Sequence, residues 1–183
     1  MPSIGDALTR ANVGGQTMVL PGIDVDSKDS SGIAAALKLV QAADATVLVL
    51  GITKAQEHEG IDRSTTALPG LQTSFAQMVL NATKGPVIIV TISGGMISID
   101  TLIAPASAIV DAFNPTQQGP TALAATLFGD ANRWGKLPIT IYNESYAPMI
   151  KIQDMSFTTP PGQPPNKYLK KKEERERERE RER

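Results

Sequence analysis

Residues Gln56 to Gln72, QEHEGIDRSTTALPGLQ, bring Glu57, Glu59 and Asp62 within six residues of one another, with His58 between the glutamates and Arg63 directly after the aspartate. Carboxylates at this spacing suit general acid/base chemistry. Such a group donates a proton near neutral pH only when desolvation or a neighbouring negative charge raises its pKa from about 4.3 toward about 6. Here the acidic neighbours supply like charge and Arg63 a counter-charge. Taken alone, the cluster is also what an ordinary solvated loop looks like. The elements that hold the loop therefore decide what it is for.

The run before it, Ala43 to Ile52 (ADATVLVLGI), is almost continuously apolar, as in a strand buried on both faces of a parallel sheet. A strand of that kind delivers its next loop to the carboxyl edge, where open α/β sheets place their ligands. The rest of the chain alternates in the same sense. Thr17 to Ile23 reads as a short strand broken at Pro21, and Asp29-Ser30-Ser31 as the cap of a helix reaching Ala42. Pro69 fits the first turn of a helix over about 70–83, and 86–93 (PVIIVTIS) is a second apolar strand followed by Gly94-Gly95. A short helix near 98–104, a strand over 107–113 and a helix from Thr116 to Phe128 closed by Gly129 come next, and 137–142 (LPITIY) alternates like an edge strand. The fold class expected is α/β: a three-layer α/β/α sandwich with a mainly parallel sheet.

Composition narrows the partners. The chain has 183 residues, 41% of them hydrophobic, enough for one domain with a core. No apolar run approaches the roughly 18 residues of a membrane span, and the N-terminus lacks the layout of a signal peptide. There is no cysteine and one histidine, which excludes thiolate and His-rich metal sites, and carboxylate acid/base chemistry implies no metal and no organic cofactor. Of 18 Lys/Arg and 19 Asp/Glu, eight and six lie in 170–183 (KKKEERERERERER), which leaves the first 169 residues at a net −3. An acidic body argues against a nucleic-acid footprint. Strict alternation in 170–183 sets like charges at i,i+4 against opposite charges at i,i+3, so a disordered or weakly helical tail is expected. The expected organisation is a folded body over 1–157, a Pro-rich linker or arm over 158–169 and the charged tail over 170–183.

Four ordered segments carry a resemblance: ADATVLVLGI, then EGIDR followed by LPGLQ, then PVIIVTISGG, then FNPTQQGPTALAATLFGDANRWGKLPITIY. Together they resemble the α/β-sandwich domain of glycoside hydrolase family 3, which holds β-glucosidases and β-xylosidases, and the MIKIQDMSF stretch leans toward the β-xylosidase branch. The resemblance implies a retaining, exo-acting glycosidase of carbohydrate catabolism, with a β-linked xyloside or glucoside oligosaccharide as substrate. In such an enzyme one carboxylate attacks the anomeric carbon and another, about 5–5.5 Å away, protonates the departing oxygen. It also implies that the nucleophile belongs to a separate N-terminal (β/α)8 barrel, and that the acid/base matches Glu59, with Glu57 as the fallback. His58, Asp62 and Arg63 then become sugar-binding or loop-bracing residues, with Asp62 and Arg63 read as a bracing pair. Family members are commonly extracellular or associated with the cell wall.

Two departures lie outside the Glu59 loop: NPTQQGP stands where the family has a glycine-rich turn, and NRWGKLP puts Arg133 and Trp134 in place of a compact proline turn. A barrel needs at least about 200 residues, so the expectation is a fragment without the barrel or its nucleophile. The sheet is expected to be truncated at its N-terminal edge, with SIGDALTR as the helix after the lost strand. The isolated chain is then expected to be inactive and prone to self-association. The alternative from another class is a non-catalytic sugar-binding or domain-interaction module that kept the fold.

Overall fold

The structure, a computed structural model, describes residues 2–149. The chain divides into two compact units, Met1–Glu144 and Ser145–Arg183. The sheet and its five helices belong to the first. Of the second, only the residues to Met149 are described, as part of the 3-10 turn Glu144–Met149. The expected end of the body after Met149, the linker and the charged tail lie outside the described residues.

The apolar runs form a parallel sheet. Thr46–Gly51 (β1), Val87–Ile92 (β2) and Ala108–Asp111 (β3) pair in that order, with Leu48 opposite Ile89 and Ile89 opposite Ile109. Because side chains alternate across a strand, the register puts Leu48, Leu50, Val87, Ile89 and Ile109 on one face and Val47, Val90 and Val110 on the other. The first face is covered by Ile33–Ala42 and Gln72–Ala82, with the short helix Asp100–Ile103 beyond them. On the second face, Val47 packs with Ala7 and Leu8 of Ile4–Ala11 and with Ala124 of Gly119–Leu127. The five helices are α1 (Ile4–Ala11), α2 (Ile33–Ala42), α3 (Gln72–Ala82), α4 (Asp100–Ile103) and α5 (Gly119–Leu127). With helices on both faces, the three-layer α/β/α arrangement is realised. Ile89, Leu102 and Val79 are fully buried on the α2/α3 face, each stabilising by roughly 1.5–3 kcal/mol relative to exposure.

Local chemistry sets the helix starts. Ser3 and Asp6 exchange bonds in a capping box at α1. The bonds from the Ser3 backbone and side chain hold the Asp6 carboxyl below its ordinary pKa. The Asp29 side chain accepts from the backbone and hydroxyl of Ser31, which lowers its pKa too. This closes a turn ahead of α2, whose N-cap is Gly32, so the helix starts later than the Asp29 cap predicts. Similarly, α5 begins at Gly119, not near Thr116, because Thr116 to Gly119 form a turn closed by the Gly119 N–H on the Thr116 carbonyl.

Two expected strands do not form. Residues 17–23 have no ladder. Pro21 removes a donor, and Val19 is instead drawn against Gly5 of α1. Residues 137–142 are also irregular, with Leu137 and Ile139 exposed on alternate positions and Pro138 unable to donate. That segment runs to the carboxyl end of the sheet, where the Ser98 hydroxyl donates to the Tyr142 carbonyl at 2.8 Å.

Candidate active site

The loop after β1 is built in three tiers. At its root, Gln72 opens α3 with its carboxamide turned to the sheet and only 3% exposed. Its Oε1 accepts from the Gly51 N–H at 2.8 Å, and its Nε2 donates to the Gly51 carbonyl at 2.7 Å and to the Val25 carbonyl at 2.8 Å. Thr46 and Ile52 donate to Pro86 and Ile92 on the β2 side. Strand alternation therefore turns the Gly51 groups to the opposite edge, and Gln72 acts there as a substitute strand. This is the last residue of LPGLQ, a segment notable in the sequence only as part of a motif. Its signal was a polar residue at an otherwise buried helix start.

The middle tier is an ion pair. Arg63 Nε donates to Glu57 Oε2 at 2.8 Å, and Arg63 Nη2 donates to the Met96 carbonyl at 2.6 Å. The side chains are 12% and 30% exposed, respectively. The loop after β1 is thereby fastened to the loop after β2. The expected partner of Arg63 was Asp62. Instead, Asp62 is exposed and its carboxylate has no hydrogen-bond partner among the described residues. Adjacent residues in an extended loop point apart, whereas Glu57 comes back across the loop to meet the guanidinium.

The apex is a four-residue turn. The Ile61 N–H donates to the His58 carbonyl at 2.9 Å and the His58 N–H to the Ile61 carbonyl at 3.2 Å. Glu59 and Gly60 lie between them, and Gly60 has φ +85°, the backbone that the third position of a type II turn requires. Glu59 is exposed, with no hydrogen-bond partner among the described residues. His58 is occupied locally, its Nδ1 lying 2.9 Å from the Lys54 carbonyl.

Across the same sheet edge, Ser93 is buried and its N–H donates to the Phe113 carbonyl at 3.1 Å. Phe113 has φ +51°, a left-handed backbone. It is held by that bond and by its own N–H on Asp111 Oδ1 at 3.2 Å. Trp134 is 50% exposed. Among the described residues no group of three or more His, Asp or Glu converges as a metal site would need, and no helix is long and apolar enough to cross a membrane.

Fold and site together define an α/β-sandwich domain that presents a carboxylate-bearing turn at the carboxyl edge of a parallel sheet. The chain matches the glycosyl hydrolase family 3 C-terminal domain over residues 2–178 and belongs to that family. It is 38% identical over 149 residues to beta-D-xylosidase 1 of Arabidopsis thaliana, covering 79% of this chain and 19% of the relative. It is 30% identical over 160 residues to a probable exo-1,4-beta-xylosidase of Aspergillus terreus, covering 86% and 21%. Among solved structures, a GH3 exo-beta-xylosidase (XlnD) bound to a xylobiose aziridine probe superposes with a TM-score of 0.73 at 26% identity, over 77% of this chain and 18% of that one. A GH3 beta-glucosidase of Bifidobacterium adolescentis gives a TM-score of 0.65 at 28% identity, over 72% and 19%. The chain thus spans about a fifth of the length of these relatives.

Proposed function

We propose that this chain is the acid/base-bearing domain of a retaining β-glycosidase acting on β-linked xylosides or glucosides, with Glu59 as the proton donor and acceptor. Family membership supports the reaction class, since the named relatives are β-xylosidases and β-glucosidases. The observation that carries the choice of residue is the contrast within the loop. Glu57 is committed to Arg63, whereas Glu59 stands uncommitted at the apex of a tight turn. A general acid must reach the glycosidic oxygen and exchange a proton with it, and a carboxylate locked in an ion pair does neither readily.

The nucleophile is assigned to the barrel domain of the family, docked over the carboxyl edge. The reaction then runs in two displacements. Glu59 protonates the leaving oxygen as the barrel aspartate attacks the anomeric carbon, and afterwards it takes a proton from the water that releases the sugar. Arg63 and Glu57 hold the turn, and Asp62 and His58 lie within reach of what binds there.

The test is to assemble the chain with a family barrel and compare Glu59→Gln with Glu57→Gln. On substrates with a sugar leaving group, Glu59→Gln is expected to lose at least about 100-fold in kcat, in line with the usual worth of a general acid. Its rate on a dinitrophenyl glycoside, whose leaving group needs no proton, should fall far less at the first step. Equal loss on both substrates, or a larger selective loss in Glu57→Gln, would move the role away from Glu59.

A further inference from the structure

Gly95, at the turn after β2, has a backbone φ outside the left-handed region, so φ by itself does not call for glycine there. Nevertheless, a side chain there could be seated only by moving Glu57. The three atoms nearest to a Cβ built at this position are Oε1, Oε2 and Cδ of Glu57, and Oε1 would lie inside its van der Waals envelope. The absence of a side chain at Gly95 thus serves the Glu57 carboxylate, which rests in the space that a side chain would fill. One residue further on, the Met96 carbonyl accepts from Arg63 Nη2. Gly95 and Met96 therefore form the seat on which the pair sits, with Glu57 on one residue and Arg63 on the next.

Together, we infer, Glu57, Arg63 and Gly95 act as one positioning unit that sets the place of the Glu59 turn relative to the loop after β2. This rests on the reading of Glu59 as the proton donor. Glu57 lies two residues before Glu59 and Arg63 four residues after it, so the strap grips both stems of the His58–Ile61 turn. Bonds within the loop fix only its own shape. Thr53 with Gln56, and Lys54 with His58, lie on one stem, and neither ties the apex to the sheet. Apart from the ion pair and the Met96 bond, the next anchors along the chain are the Thr65 hydroxyl on Glu144 Oε1 at 3.0 Å and the Ser98 N–H on the Thr66 carbonyl at 2.8 Å, two and three residues beyond Arg63. Loss of the strap would leave Glu59 chemically intact but free to wander by ångströms, and proton transfer does not tolerate such displacement.

A strap of this kind should show epistasis that an ordinary need for a small residue does not. In the full 183-residue chain, Gly95→Ala should displace the Glu57 carboxylate. Amide exchange at His58 and Ile61 should then speed up by about 10-fold, while amides of β2 keep their protection. Glu57→Ala should speed the same two amides by a similar factor. In Glu57→Ala the seat is empty, so adding Gly95→Ala should change nothing more. Arg63→Lys, which cannot span both acceptors, should behave like Glu57→Ala. A full additional effect of Gly95→Ala in the Glu57→Ala background would overturn the proposal, as would unchanged His58 and Ile61 exchange in the single variants. These readouts need no activity. If Glu59→Gln proves harmless in the assembled enzyme while the epistasis holds, the assignment of Glu59 fails and the strap stands. If the strap is right and Glu59 is the acid, Gly95→Ala should also lower kcat with little change in KM, whereas the double variant should be no worse than Glu57→Ala.

Discussion

The base and the apex of the loop after β1 carry the same side chain in different circumstances. At the base, Glu57 meets Arg63 at 2.8 Å and lies on Gly95. At the apex, two residues on, Glu59 sits exposed between His58 and a left-handed Gly60. The glutamates are indistinguishable by composition and nearly so by position. What separates them is the return of the chain, which brings Arg63 back to Glu57 and leaves Asp62 and Glu59 outside. Holding and presenting are thus divided between neighbours. The loop keeps a carboxylate free by spending another on its own anchorage.

The division can be attacked first at its root. Gln72→Leu removes three hydrogen bonds and leaves the Gly51 N–H and carbonyl without their partner at a buried edge. A loss of about 2–4 kcal/mol is expected, at 1–3 kcal/mol for each buried group left unsatisfied and with partial relief from water. Chemical denaturation with an unchanged m-value would check it. A loss below about 0.5 kcal/mol would mean that the carboxamide is not what closes this edge.

The carboxyl ends of β1 and β3 differ in a similar way. At the β1 loop the left-handed position is filled by Gly60, whereas after β3 it is filled by Phe113, the one non-glycine residue with positive φ among those described. Phe113→Gly should relieve that backbone strain, worth about 1–3 kcal/mol, against the added flexibility of glycine in the unfolded chain. A net gain of about 0.5–1 kcal/mol is expected, visible as a rise of a few degrees in Tm. A fall in Tm would show that packing of the Phe113 ring outweighs the strain.

Much of this architecture was legible in the sequence because the strands are nearly continuous apolar runs. Only β2 is largely covered on both faces, however, and Val49 of β1 is 43% exposed, against the two-sided burial expected of that strand. The strands over 46–51, 87–92 and 108–111 follow the runs at ADATVLVLGI, PVIIVTIS and SAIVDAF, and Pro69 with the following residues marks α3. The failures share a cause. Residues 17–23 and 137–142 have strand composition, but each contains a proline, and each is claimed by contacts made far along the chain, Val19 with Gly5 and Tyr142 with Ser98. In the loop, the EGIDR motif singled out a stretch but not its internal pairing. That Arg63 chooses Glu57 over its neighbour Asp62 depends on a turn whose geometry Gly60 permits and whose seat belongs to residues 95 and 96. The polar residue at the start of α3 was visible, but the role of Gln72 was not, for a similar reason: its partners are the backbone groups of residues 25 and 51.

Glu59, not Glu57, is proposed to face the reacting bond. A crystal structure of the chain assembled with a family barrel whose nucleophile carries a bound glycosyl group would measure it directly. The Glu59 carboxylate is expected at about 5–5.5 Å from the nucleophilic carboxylate, the separation of a retaining pair, with Glu57 still on Arg63. A structure that places Glu57 at that distance, freed from Arg63 and with Glu59 turned to solvent, would contradict it.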